Sequence, residues 1–87
     1  MTKRTAFWES VWSLRHLETA IIRAGEDGIT IAGLQTATGL SRRTIDRNLR
    51  ALQELGSGIY HDDSAGRVAR RWSLREKDAV FRHGVRR

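Results

Sequence analysis

The hydrophobic positions of residues 39–55 repeat with the period of an α-helix. Ile45, Leu49 and Leu52 are four and three residues apart, which places them on one side of a helix with 3.6 residues per turn. Ser41 lies just before the first of these turns and is a candidate N-cap. The pattern therefore predicts a helix that begins after Ser41 and buries one apolar stripe.

A shorter helix is expected just before it, over residues 31–38. Thr30 can cap its N-terminus, and Gly39 can take the left-handed conformation that ends it. Gly33 inside this helix costs about 1 kcal/mol relative to alanine, so we expect it to mark close packing against a neighbouring helix. Two short helices joined by a glycine-containing turn are typical of a helix-turn-helix. The residues expected to face inward are Ile31, Leu34 and Ala37, with Leu40 filling the turn.

Arginines dominate the opposite side of the 39–55 helix. Arg43, Arg47 and Arg50 form a row, with Arg42 and Asp46 on its flank near the N-terminal end. A charge run of this kind is most often the solvated face of an ordinary amphipathic helix. The same row can also face the phosphates and base edges of DNA.

The positive charge of the chain is concentrated in its second half, which favours the second interpretation. The 87 residues carry a formal net charge of +6. Up to Leu40, four basic residues balance four acidic ones, whereas twelve basic residues face six acidic ones after Ser41. Such a field attracts polyanions, and nucleic acid is the usual partner, although an anionic membrane would also be attracted.

A two-stranded hairpin is expected after the helices. Residues 59–62 and 67–74 have strand character, and Asp63-Ser64-Ala65-Gly66 between them has turn chemistry. By alternation, Val68, Arg70, Trp72 and Leu74 lie on one face and Arg67, Ala69, Arg71 and Ser73 on the other. Trp72 and Leu74 would close the core, while the arginines near the tip could reach phosphates or a minor groove. The alternative role for these arginines is protection of an edge strand.

The first helix carries an inward stripe and a second, aromatic flank. The stripe consists of Phe7, Val11, Leu14, Leu17 and Ile21. Trp8 and Trp12 lie together outside it. In one interpretation residues 76–83 form a helix that lays Val80 and Phe81 over the tryptophans, and in the other the tryptophans meet a second copy of the chain. Both can hold if the C-terminal helix is swapped or shared. We favour the dimer, because DNA-binding domains of this kind usually read two half-sites related by a two-fold axis.

Residues 16–74 resemble a known family of DNA-binding domains. The segments SRRTIDRNLRALQELG and RRWSL are similar to the N-terminal winged helix-turn-helix of bacterial WYL-domain transcriptional regulators, with a more distant likeness to the DeoR and IclR DNA-binding domains. The resemblance implies that the major-groove side is lined by Ser41, Arg42, Arg43, Thr44 and Arg47. It also implies that residues 67–71 belong to the wing.

The chain departs from that family after Leu74. WYL-type regulators continue into a sensory domain, so ligand sensing is not carried over, and no small-molecule ligand is expected. The chain is expected to be either a stand-alone small DNA-binding protein, as phages and other mobile elements often encode, or a piece of a longer regulator.

We therefore expect one domain over residues 1–87, mainly α with a small β-hairpin (α+β). Its architecture would be a winged helix-turn-helix with a three-helix core, a wing and a C-terminal helix. The core would cover about residues 7–74, and the C-terminal helix and basic tail residues 75–87.

The expected function is sequence-specific binding of double-stranded DNA as a transcriptional repressor, with a homodimer on an inverted-repeat operator. Base-reading candidates are Arg42, Arg43, Asp46 and Arg47, and phosphate and wing candidates are Arg50, Arg67, Arg70 and Arg71. The alternatives are a protein-interaction module that uses Trp8 and Trp12, and a non-specific architectural DNA-binding protein.

Enzymatic chemistry finds little support in the sequence. The absence of cysteine excludes disulfides, thiol nucleophiles and cysteine-based zinc sites. His16, His61 and His83 are scattered and do not have metal-ligand spacing, so no metal, cofactor or catalytic residue is expected. The paired acids Asp62-Asp63 precede a glycine-containing turn, which explains them better than acid–base catalysis.

A cytoplasmic, nucleoid-associated protein of a prokaryote or its virus is expected, because no stretch has the length of a signal-peptide core or a membrane span.

Overall fold

The computed structural model of this chain describes residues 2–67 and 69–81, with side chains from Ser10 onward. The described residues form three α-helices and a two-stranded antiparallel sheet, so the chain is mainly helical with a small β element, as predicted. The elements are α1 (Thr2–Ala24), α2 (Ile31–Thr38), α3 (Arg42–Glu54), β1 (Tyr60–Asp62) and β2 (Arg71–Ser73). Two 3₁₀ turns, Gly25–Asp27 and Glu76–Asp78, complete them.

Local capping sets the bounds of α2 and α3, as the sequence predicts. The Thr30 hydroxyl accepts a hydrogen bond from the Gly33 N–H at 3.0 Å. Gly39 has φ 76° and ends α2 in the left-handed conformation, and Ser41 caps α3 by accepting from the Thr44 N–H at 3.2 Å. Thr30, Gly39 and Ser41 are thus confirmed as the residues that begin and end these helices.

One apolar core lies between the three helices and the sheet. Leu40 in the turn and Leu14 on α1 pack against its edge, and Ala37, predicted to face inward, is instead exposed on α2. The Phe7 side chain of the predicted α1 stripe lies outside the described residues. The buried core residues are Leu17, Ile21, Leu34, Ile45, Leu49, Leu52, Ile59, Trp72 and Leu74. The inward stripes predicted for α1 and α3 are therefore confirmed at Leu17 and Ile21 and at Ile45, Leu49 and Leu52.

Gly33 has a different neighbour from the one predicted. A Cβ atom at this position would lie 2.8 Å from Cγ1 of Ile29. The glycine therefore admits the side chain of the residue that precedes the Thr30 cap, and the expectation of a neighbouring helix at this point was wrong.

Strand β2 is bonded on both of its edges. Its His61–Trp72 and Asp62–Arg71 pairings join it to β1. On its other edge Trp72 exchanges two backbone hydrogen bonds with Ile29, at 2.8 and 2.9 Å. Between the first two helices the chain thus joins the sheet through a single bridging residue, Ile29.

The hairpin strands are shorter than predicted, and buried and exposed side chains do not alternate along β2. Trp72, Ser73 and Leu74 are all buried, although Ser73 was expected on the outer face. Gly28 explains the burial of Ser73, because a Cβ atom on Gly28 would lie 2.9 Å from the Ser73 hydroxyl oxygen. The backbone around Gly28 therefore covers the side of β2 that would otherwise face solvent. Val68 lies outside the described residues.

The predicted C-terminal helix over residues 76–83 is wrong for the residues that the structure describes. The 3₁₀ turn Glu76–Asp78 ends at Ala79, whose φ of −77° and ψ of 150° are extended. The N–H groups of Val80 and Phe81 donate to the Glu18 carboxylate at 2.7 and 2.9 Å. In a helix these groups would donate to carbonyls four residues earlier, so the bonds to Glu18 replace helical ones. Residues 82–87 lie outside the described part of the chain.

Candidate nucleic-acid interface

Helix α3 has one buried face and one exposed, basic face. Its buried residues are Ile45, Asn48, Leu49 and Leu52. The exposed side chains predicted to contact DNA are Arg42, Arg43, Asp46, Arg47 and Arg50. The core therefore fixes the rotation of the helix about its axis, and that rotation turns the guanidinium groups outward.

Ion pairing within α3 is limited to its first turns. Arg42 Nε lies 3.8 Å from Asp46 Oδ2, and both side chains are more than half exposed. Among the described residues, Arg43, Arg47 and Arg50 form no ion pair. These three groups are four and three residues apart, so they form a row of unneutralised charge along one side of the helix.

Ser41 and Thr44 serve the start of α3. The Ser41 hydroxyl accepts from the Thr44 N–H and also donates to the Thr44 hydroxyl oxygen at 3.0 Å. Ser41 is exposed and Thr44 is half-buried. Both side chains are therefore committed to the cap, and any contact they make with a ligand would be made from this fixed position.

Asn48 is a polar residue of this region that the sequence reasoning did not single out. It is 6% exposed, and its Nδ2 has no hydrogen-bond partner among the described residues. It lines a groove of about 500 Å³ between α1 and α3, together with Ser13, Thr44 and Arg47. Its position three residues after Ile45 and one before Leu49 was the signal that could have placed it on the buried face.

The three arginines predicted for the wing have three different environments. Arg67 is exposed. Arg70 donates two hydrogen bonds to Asp63, Nε to Oδ1 at 2.6 Å and Nη2 to Oδ2 at 3.0 Å, and its Cζ lies 5.8 Å from the centre of the Trp72 ring. Arg71 is exposed, and its Nη1 approaches the Gly28 carbonyl oxygen at 3.4 Å. The guanidinium of Arg70 is thus occupied within the hairpin, whereas that of Arg67 has no hydrogen-bond or ion-pair partner among the described residues.

Two carboxylates hold the loop between the strands. Asp63 accepts from Arg70 and lies 3.0 Å from Nδ1 of His61, and the hydrogen bond from Arg70 holds the pKa of Asp63 below its ordinary value. The Asp62 carboxylate accepts from the Ser64 N–H at 2.9 Å, which lowers the pKa of Asp62. The Gly66 N–H closes the turn on the Asp63 carbonyl at 2.8 Å. The turn predicted for residues 63–66 is confirmed.

Of the residues predicted for a dimer interface, Trp12 lies apart from Val80 and Phe81. Trp12 is 68% exposed and stacks on His16, with ring centres 6.3 Å apart. Val80 and Phe81 lie instead beside Glu18, which is six residues after Trp12 and so about 120° away around the helix. The alternative in which Val80 and Phe81 cover Trp12 is therefore wrong. The Trp8 side chain lies outside the described residues.

The described residues contain no cluster of three histidine or acidic side chains that could hold a metal ion. None of the described helices combines the length and apolarity needed to cross a membrane.

Comparison with known proteins finds no matching family model, no matching curated protein and no matching solved structure. The resemblance to the DNA-binding domains of WYL-type regulators therefore rests on the segments of this sequence that carry it.

Proposed function

We propose that this chain is a winged helix-turn-helix domain that binds double-stranded DNA sequence-specifically and controls transcription as a repressor. The order of elements supports this proposal. Helix α1, the bridging residue Ile29, helices α2 and α3, and the β1–β2 hairpin follow one another as they do in a winged helix. In this reading α3 is the recognition helix and the hairpin is the wing.

The observation that carries the proposal is the division of α3 into two faces. Ile45, Leu49 and Leu52 hold it against the core, while Arg43, Arg47 and Arg50 point outward without ion pairs among the described residues. Exposed cations that a protein leaves unneutralised can replace the counterions of a phosphate backbone. A helix also fits the width of the major groove, where arginine can bond to guanine through two donors.

Within this proposal the residues of α3 have separate roles. Arg43 and Arg47, near the N-terminal half of the helix, contact base edges, and Arg50 contacts a phosphate. Arg42 and Asp46 are held together at 3.8 Å in the exposed pair. Binding at a cytosine would draw Asp46 away from Arg42 and free that arginine for a phosphate.

The wing supplies contacts that depend little on sequence. Arg67 and the exposed part of Arg71 are the phosphate contacts. Arg70 has a positioning role, because its two bonds to Asp63 and its place over Trp72 hold the loop that carries Arg67. The role first expected for Arg70, a direct phosphate contact, is thus reassigned within the proposal.

Matched arginine variants test the proposal. Arg43→Ala, Arg47→Ala and Arg23→Ala each remove one positive charge, and Arg23 is an exposed residue at the end of α1. We expect the two α3 variants to weaken duplex binding by roughly ten-fold or more at a fixed salt concentration. Arg23→Ala should lose about two-fold at most, as expected for a distant charge screened by salt. Equal losses for all three variants would reduce the binding to a net-charge effect and contradict the role of α3.

A further inference from the structure

A second groove, which we call the α1 groove, runs along the side of α1 that bears Trp12. Its volume is about 580 Å³. From α1 it is lined by Trp12, Arg15, His16 and Arg23 with small residues between them, and its other wall includes Ile29 and Ala37. None of the described residues that line it belongs to α3 or to the β1–β2 hairpin. The α1 groove is therefore made from residues that the proposed DNA contacts do not use.

The floor of the groove is apolar, and a large aromatic ring stands at one end. Ala20, Ala24, Ile29 and Ala37 contribute small or aliphatic surface. Trp12 is 68% exposed and its ring is nearly parallel to that of His16, with an angle of 8° between the planes. An exposed tryptophan beside an apolar groove is the kind of anchor that protein interfaces bury.

The charged side chains among the described residues of the groove rim are basic. Arg15 and Arg23 line it, and none of its described lining residues is acidic. These two arginines are eight residues apart on α1, which corresponds to about 12 Å along the helix axis. The whole lining from Trp12 to Ala24 covers about 18 Å of α1, the length of roughly three helical turns. An occupant with carboxylates about two turns apart and an apolar stripe between them would match both features.

Neither DNA nor the described part of a second copy of this chain has that chemistry. A phosphate backbone would leave the apolar floor and the Trp12 ring without a partner. Two copies paired through α1 would bring the arginines of one copy close to those of the other, which is unfavourable. Among the described side chains, no helix of this chain presents an exposed apolar stripe flanked by acids, because the exposed charge of α3 is mainly arginine.

We propose that the α1 groove is a docking site for an amphipathic, acidic helix of a partner protein. The apolar stripe of that helix covers Trp12 and the floor, and its carboxylates pair with Arg15 and Arg23. Because none of the described residues of the groove belongs to α3, the partner and DNA can bind the same copy of the chain. The proposal stands independently of the function proposed for α3.

Peptide selection followed by a charge swap tests it. The probe is a displayed library of helix-forming peptides of about four turns, with positions randomised on the stripe and its flanks, selected against the full chain. We expect recovered peptides to carry an apolar stripe flanked by Asp or Glu. Trp12→Ala should weaken their binding by about ten-fold or more. Arg15→Glu with Arg23→Glu should abolish it, and the same peptide with lysines in place of its acids should bind that double variant.

The rescue by the lysine peptide separates a lost contact from a misfolded protein. Arg75→Glu is the charge-matched control, since Arg75 is exposed and outside the groove lining, and it should change peptide affinity little. Recovery of peptides without acidic flanks, or equal binding by the Trp12→Ala variant, would overturn the proposal. So would a dimer of the chain that Trp12→Ala dissociates, because the groove would then hold a second copy. Loss of duplex binding in the Arg43→Ala variant tests the function proposed for α3 and does not affect the proposal for the α1 groove.

Discussion

The buried carboxylate of Glu18 accepts a hydrogen bond from the backbone N–H of Val80, 2.7 Å away in space and 62 residues away in sequence. The same carboxylate accepts from the Phe81 N–H at 2.9 Å and from the Ser57 hydroxyl at 3.1 Å. Glu18 has no exposed surface. One side chain of α1 therefore fastens both the segment after α3 and the segment after β2 to the first helix.

Replacing Glu18 by glutamine is expected to destabilise the fold. Glutamine offers one acceptor oxygen and an NH₂ group, so at least one of the N–H groups of Val80 and Phe81 would face a donor. We expect a loss of about 2 kcal/mol in the free energy of unfolding, measured by urea denaturation. Glu26→Gln makes the same charge change at an exposed site and should cost about 0.5 kcal/mol or less. Equal stability of the two variants would contradict the anchoring role of Glu18.

The contacts of Glu18 show why part of the structure could not be predicted from the sequence. Thr30, Gly39 and Ser41 were predicted correctly because a cap depends on residues within one turn of it. The partners of Glu18 are 39 to 63 residues away, and no local pattern signals them. The predicted C-terminal helix failed for the same reason, since local composition favours a helix there but a distant carboxylate takes its N–H groups. Arg70 was assigned to DNA from its charge, its place near the hairpin tip and the family resemblance, and its hydrogen bond to Asp63 across the loop was not predicted.

Gly28 is expected to tolerate no side chain. Its φ of 77° and ψ of 177° fall in a region that is essentially limited to glycine, and a Cβ atom there would lie 2.9 Å from Cβ of Arg71. Gly28→Ala should therefore cost about 3 kcal/mol in unfolding free energy. Gly25 has φ 73° but no atom within 4 Å of an added Cβ, so Gly25→Ala should cost only about 1 kcal/mol. Thermal unfolding of the two variants checks this, and a smaller loss for Gly28→Ala would show that β2 does not approach Gly28 closely.

The ion pair in the wing should be visible in an acid titration. Because the pKa of Asp63 is lowered in the folded chain, the stabilisation it provides is present above the ordinary value of 3.8 and is lost as the pH falls through the folded value. In Arg70→Ala the pKa of Asp63 should rise towards 3.8, since the main cause of its lowering is removed. The pKa of Asp62, held down chiefly by the Ser64 N–H, should not change. Side-chain carboxyl chemical shifts measured against pH give both pKa values. An unchanged pKa of Asp63 in the variant would contradict its pairing with Arg70.

Asp63→Asn separates positioning by Arg70 from direct contact with DNA. If Arg70 holds the loop through Asp63, the substitution frees the loop. Duplex binding then weakens by several-fold, although the protein has lost a negative charge. If Arg70 binds phosphate directly, its release and the lost negative charge should both strengthen binding. Arg67→Ala is the companion variant, expected to weaken all duplexes alike and to lower the salt dependence by about one phosphate contact. Binding isotherms at several salt concentrations distinguish the two cases, and stronger binding by Asp63→Asn would overturn the positioning role.

Recognition of duplex DNA by α3 is tested most directly by selecting bound duplexes from a random library with the purified chain at near-physiological salt. We predict enrichment of a defined motif containing guanine, and a motif relaxed at one or more positions when Arg43→Ala is used instead. An inverted repeat in the motif would indicate two copies per site, and a single half-site one copy. Recovery of unenriched DNA, or of no DNA, would contradict sequence-specific recognition by α3.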